Sequence, residues 1–151
     1  MAVCGPASAT DEDAANAYRI GQLLAQRGAV VLCGGGAGVM AAVAAGVRAG
    51  NGLVIGIRAD DSREGASPDL SATIVTNLGQ ARNAVLVWSA DAVIVVGGSW
   101  GTLSELALAK RRGGVPVVSL GGWRILDASG QPVAGTTEVA TPEAAVDAAL
   151  R

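Results

Sequence analysis

Two glycine-rich stretches and two charged residues carry the chemistry this 151-residue chain could perform. The first stretch is Gly34-Gly35-Gly36-Ala37-Gly38, continued by Val39 and Met40; the second is Gly97-Gly98-Ser99-Trp100-Gly101-Thr102. Each follows an apolar β-type run and opens an apolar helical pattern. Glycine lets a backbone come close to a ligand and adopt positive φ. A helix start adds unpaired N–H groups and a partial positive charge. Together these suit an anion such as phosphate. One such loop could be a bare strand-to-helix turn, but four glycines in five residues exceed what that turn requires, and two loops are more specific than one.

The charged pair is Arg82, early in the helical pattern "LGQARNAVLVWSA", and Glu105, in the first turn of "TLSELALAKRRG". A solvated arginine and an acid placed for the helix dipole are the ordinary readings. If both helix starts open onto one edge, Arg82 can hold an anion while Glu105 reaches a ribose hydroxyl or a water. Trp100, set between Ser99 and Gly101, can stack its indole on a flat ligand ring, or pack against a partner subunit. Thr102 has two readings, helix cap or hydroxyl donor to phosphate. Trp88 belongs to the helical core or to a dimer face.

Composition excludes several chemistries. There is no His, so a Ser–His–Asp arrangement is impossible and an ordinary zinc site is not expected. Cys4 and Cys33 form neither a metal spacing nor a CxxC pair and read as buried, reduced thiols. The net charge of −2, without a basic block, argues against nucleic acid as partner. No signal peptide and no apolar run long enough for a membrane span is read, so a cytoplasmic protein is expected. Gly36 to Ala41 fits G-x-G-x-x-A, with Asp60 and Asp61 after the next strand, but the match follows the second strand and no second half supplies a substrate site; a nicotinamide cofactor is not expected. No G-K-[ST] follows the glycines, so a P-loop is excluded.

The elements that must position these residues alternate. "AVCG" is a first strand, and "DEDAANAYRIGQLLAQRG" a helix with Thr10 or Asp11 as cap. "AVVLC" precedes the first glycine loop and "VMAAVAAGVRAG" follows it as a helix. "GLVIGI" is a third strand, residues 59–72 a polar loop, and "TIVTN" a fourth strand. After the Arg82 helix come "DAVIVVGG", the Glu105 helix and "VPVVSLG". "GQPVAGTTEV" reads as loop with one short strand, and "TPEAAVDAALR" as a final helix with Thr141 as cap and Pro142 at its first position. Runs such as "DAVIVV" are apolar without strict alternation, which marks strands covered on both faces. The expectation is a single α/β domain over residues 1–151, a Rossmann-like three-layer sandwich with a mainly parallel sheet of six to seven strands.

The segments "VLCGGGAGVMAAVAAGVRAGNGLVIGI" and "QARNAVLVWSADAVIVVGGSWGTLSELALA", with the "PVVSLG" strand, resemble the nucleotide-binding Rossmann-like superfamily once labelled lysine decarboxylase-like. It includes the LONELY GUY cytokinin-activating phosphoribohydrolases and the molybdenum cofactor carrier proteins. The resemblance covers nearly the whole chain. "GGSWGTLSE" follows the GGxxGTxxE pattern of the short, carrier-like branch, whereas the phosphoribohydrolase branch shows PGGxGTxxE with a preceding Arg-Lys pair. Here Val96 stands for the proline, the loop is one residue longer, and Asn83 replaces the lysine. The resemblance implies a cytosolic carrier of a small phosphorylated ligand, a nucleoside monophosphate or molybdenum cofactor, requiring no cofactor of its own. The alternative it implies is a phosphoribohydrolase cleaving the N-glycosidic bond of a nucleoside 5′-monophosphate, with Arg82 and Glu105 as the catalytic pair. It also implies a homodimer or a tetramer. Lysine decarboxylation is not expected: the only lysine, Lys110, lies far from the start of the Glu105 helix.

Overall fold

Strand β1 (Ala2–Cys4) is the middle of a seven-stranded, wholly parallel sheet, and the computed structural model describes every residue from 1 to 151. Helix α1 (Asp11–Gln26), β2 (Val31–Cys33), α2 (Val39–Ala49), β3 (Val54–Arg58) and β4 (Ala72–Val75) build outward from one side of β1. The chain then returns through a 3-10 turn (Gly79–Ala81) and α3 (Arg82–Trp88) to β5 (Val93–Val96) on the other side. Helix α4 (Trp100–Arg112), β6 (Val117–Leu120), β7 (Thr137–Val139) and α5 (Pro142–Ala149) follow. The strand order is β4-β3-β2-β1-β5-β6-β7, so the winding reverses between β1 and β5. In open parallel sheets that reversal opens a crevice at the carboxyl edge.

Right-handed crossovers place helices by the direction of winding. Helices α1, α2 and α5 cover one face and α3 and α4 the other. Period-two alternation along the strands feeds two cores. Val3, Ile94 and Val96 join Ile20, Leu24 and Val43 under α1 and α2. Ala2, Cys4, Val93 and Val95 join Leu86 and Leu106 under α3 and α4. Strands β5 and β6 are buried throughout, as their mostly apolar sequences require, Ser119 being the one polar residue among them, whereas β4 is an edge strand with Ile74 and Val75 exposed. No helix is long and apolar enough to cross a membrane.

Local signals fix most helix ends. Thr10 caps α1 through a reciprocal capping box with Asp13, and Thr141 caps α5 with Pro142 at its first position. The Glu105 helix starts two residues before the "TLSEL" pattern. Ser99 is its cap, extended at φ −156° and ψ 171°, with its Oγ accepting the Thr102 N–H. Thr102 is therefore not the cap. Glu105 falls in the second turn rather than the first.

The contact between α1 and α2 is backbone to backbone. A Cβ on Gly46 would lie 2.0 Å from the Tyr18 carbonyl oxygen, and one on Gly21 would lie 2.4 Å from that of Val43. Neither acceptor can move without breaking its helix, so Gly46→Ala should cost at least about 1–3 kcal/mol of stability, the usual penalty of overpacking. Urea unfolding of the variant beside Gly101→Ala, whose Cβ would meet only Ser99 Oγ at 3.8 Å and whose φ is not positive, checks this.

Candidate functional site

Parallel register puts both glycine loops at one level of the sheet. Ala2 pairs with Leu32 and Cys4 with Val95, so Gly34 leaves β2 and Gly97 leaves β5 on either side of the end of β1. Two strand spacings separate β2 from β5, about 10 Å. In each loop a row of N–H groups finds no acceptor within the protein: Gly36, Ala37, Gly38, Met40 and Ala41 in the first, Gly98, Ser99, Trp100 and Gly101 in the second. Unpaired N–H groups converging at an edge are what an anionic or carbonyl-rich ligand needs.

The first loop is glycine for reasons of space as much as of conformation. Gly35 and Gly38 have positive φ, at 75° and 62°, but Gly34 and Gly36 do not. A Cβ on Gly34 would sit 2.4 Å from Arg82 Nη1. The guanidinium thus lies against the loop backbone, where its Nη1 donates to the Ile57 carbonyl at 2.8 Å. Arg82 Nε is buried with no partner. The side chain is half-buried at the start of α3, not the solvated arginine of the ordinary reading. Val39 does not line the loop's open side. Its side chain is fully buried in the core and its N–H donates to Pro6 O.

Glu105 sits beneath the end of β1. It is 7 % exposed and lies near enough to the Cys4 thiol for each group to influence the other's ionisation. Burial is the main influence on its carboxyl and pushes the pKa up from 4.5 to about 7, against the opposing pull of Arg82 and the Cys4 contact. Burial likewise raises both thiols, Cys33 to about 11 and Cys4 well above its ordinary value, so both stay protonated. Arg82 and Glu105 are thus brought to one place between the loops without forming an ion pair within 4 Å of each other; the ion pairs of the chain lie elsewhere. Asn83 is buried and ties α3 to α4, its Nδ2 donating to Ser104 Oγ at 2.8 Å.

The second loop is roofed by aromatic rings. Trp100, the first residue of α4, is 77 % exposed, and its ring meets that of Trp123 edge to face with centroids 5.0 Å apart. The Trp123 indole lies on Gly98, where a Cβ would fall 2.3 Å from its Cδ1. Thr102 is buried and its hydroxyl bonds to Ser99 Oγ at 2.9 Å, which turns it inward to the helix start. Trp123 was missed by sequence reasoning, although "VVSLGGW" repeats the strand–glycine–tryptophan order of "VIVVGGSW". Trp88, 52 % exposed, is not part of the core.

Residues 1–146 match the SLOG cluster4 family. The chain belongs to that family. Its fold superposes with a TM-score of 0.84 on the molybdenum cofactor binding protein from the phototrophic bacterium Rippkaea orientalis, at 36 % identity over 97 % of this chain and 91 % of that one. It superposes on the Moco carrier protein from Chlamydomonas reinhardtii with a TM-score of 0.81, at 30 % identity over 99 % and 93 % of the two chains. An uncharacterized protein of Archaeoglobus fulgidus is 39 % identical over 113 residues, 75 % of this chain and 74 % of that protein. The Rossmann-like α/β architecture and the likeness to the carrier-like branch, both expected from the sequence, hold for this SLOG cluster4 protein.

The buried carboxyl makes stability depend on pH. Its folded pKa, about 7, lies above the ordinary 4.5. The folded chain therefore binds more protons than the unfolded one between these values, and stability falls as pH rises through that window. Below about pH 4.5 the group costs nothing; above about pH 7 the cost is complete, at most about 3 kcal/mol. Denaturant midpoints at pH 5 and pH 8 should differ less in Glu105→Gln than in the parent, with the variant relatively more stable at pH 8.

Proposed function

We propose that the protein binds and carries a small phosphorylated ligand with a flat ring system, of the phosphorylated-pterin kind found in molybdenum cofactor. One observation carries the binding reading: two rows of unpartnered N–H groups leave the sheet on either side of the end of β1, with the Arg82 guanidinium at one and the exposed Trp100 indole at the other. The phosphate end lies at Gly34–Gly38 and the ring end at Gly98–Gly101, where an indole offers a stacking face. Likeness to two proteins named for binding or carrying molybdenum cofactor supports the pterin over other rings. No cluster of three or more His, Cys, Asp or Glu side chains is placed to hold a metal ion, and both thiols are held protonated. A metal carried here keeps ligands supplied by its own cofactor. The reduced, buried thiols fit a cytoplasmic location.

Carrier is favoured over hydrolase because Asn83 bonds to α4 where the hydrolytic branch has lysine, and because the loop ahead of Glu105 lacks that branch's proline and is one residue longer. The hydrolytic reading has one observation of its own. A carboxyl with pKa about 7 beside Arg82 can change protonation near neutrality, as a group assisting glycosidic cleavage must. Incubation with AMP followed by chromatography separates the two. No adenine should appear with the parent, and Glu105→Ala should alter affinity. Adenine release that falls by orders of magnitude in Glu105→Ala would make the protein an enzyme. Gly36→Val should fold, since its Cβ meets only the flexible ends of Met40 and Arg58, yet lose the ligand that mass spectrometry finds on the purified parent.

The outer face of α3, with Val85 38 % and Trp88 52 % exposed, belongs in this proposal to a contact between copies. Sedimentation at micromolar concentration should give a dimer or a tetramer, and Trp88→Glu should shift it toward monomer.

A further inference from the structure

A second guanidinium lies on the first glycine loop. Arg58 ends β3, one residue after the carbonyl that holds Arg82. A Cβ on Gly35 would be 3.2 Å from Arg58 Cδ, and one on Gly36 would be 3.3 Å from Arg58 Nη1. The side chain is 13 % exposed. Its Nη2 donates to the Glu64 carbonyl at 2.8 Å and to the Asp60 carboxylate, but its Nε is buried without a partner and its Nη1 has no acceptor. Arg82 flanks Gly34 in the same way, also with an unpartnered buried Nε. Two cations therefore lie at the Gly34–Gly36 end of one row of free N–H groups, with spare donors on both. The Gly97 loop has the opposite character. A Cβ there would be 2.9 Å from the Asp13 carboxylate, and Glu105 lies below. An anion placed at Gly97 meets an acid; one placed at Gly34–Gly36 meets two guanidiniums.

We propose that Arg58 and Arg82 form a two-guanidinium clamp for the phosphate monoester of the ligand, and that Asp60 is a built-in competitor that neutralises Arg58 until the phosphate displaces it. This rests on the reading of Gly34–Gly38 as the phosphate end of the site. Glycine at position 34 leaves room for the Arg82 guanidinium against the loop and Arg58 Nη1 lies close to Gly36, so that backbone N–H groups and arginine N–H groups address one ligand together. Arginine suits this place because its fork of donors stays charged at any working pH and matches phosphate oxygens in pairs. Asp60 has 57 % of its side chain exposed and can swing into solvent when an anion takes over Arg58. The clamp selects a dianionic phosphate over the same ring system lacking it, and orients the ligand with its phosphate toward β3 and its ring toward Trp100.

Titration with inorganic phosphate tests the clamp, followed by calorimetry or by amide shifts of Gly36 to Gly38, in the parent, Arg58→Gln, Asp60→Asn and Arg63→Gln. Arg63 is an exposed arginine of the same loop and controls for overall charge. Arg58→Gln should weaken phosphate binding about tenfold or more, the usual effect of losing a charge-assisted hydrogen bond. Asp60→Asn should tighten it several-fold, and Arg63→Gln should leave it within about twofold. Asp60 is exposed and its replacement keeps the fold, so this arm decides the question even if Arg58→Gln fails to fold. Unchanged affinity in Asp60→Asn, or equal losses in Arg58→Gln and Arg63→Gln, overturns the clamp while leaving the loop as phosphate site. If the parent shows no phosphate binding and no shift at Gly36 to Gly38, the loop reading falls and the clamp falls with it.

Discussion

The carboxyl edge of this sheet depends on how closely one guanidinium can approach a backbone. Arg82 starts α3, hydrogen-bonds to the end of β3 and lies against Gly34 after β2. It thereby joins three segments far apart in sequence at the site. Its charge also reaches Glu105 and both thiols and lowers the pKa of each, against the larger effect of burial. Without glycine at 34 the guanidinium has no room; without the guanidinium the β2 loop would have lost side chains for no gain in packing.

Around that contact the edge is divided electrically. The β2–β3 side holds Arg82 and Arg58, the β5–β6 side holds Asp13 beside Gly97, and Glu105 lies between them within reach of Arg82's charge. The dividing strand is β1, only three residues long and fully buried, with Cys4 as its last residue. The Cys4 thiol lies beside Glu105 at the edge of an otherwise apolar cluster, and burial there raises the pKa of both groups. In the carrier reading proposed above, a ligand bridging the two loops would cross from a cationic to an acidic region, which would give it one orientation. Trp100 and Trp123 stand edge to face beside that region, and the exposed Trp100 indole offers a flat apolar surface there.

What the sequence determined by itself was the architecture and the list of loops. Alternating apolar runs and helical patterns specify β-α-β winding because each burial period is local, and the caps Thr10 and Thr141 act within three residues. The glycine clusters are legible because no other residue tolerates such closeness. The third dimension decided which partner each chemical group meets. The extra residue in Gly98-Ser99-Trp100-Gly101 starts α4 at Trp100 with Ser99 as cap, turning Thr102 inward and Glu105 under β1. Arg58, Trp123 and Asp13 join the site from β3, the segment after β6 and α1, and no short spacing links them to the glycine motifs. Periodicity and capping are properties of neighbours along the chain, whereas burial, ion pairing and pKa are properties of neighbours across the sheet, and those exist only once parallel register has set β2, β1 and β5 side by side.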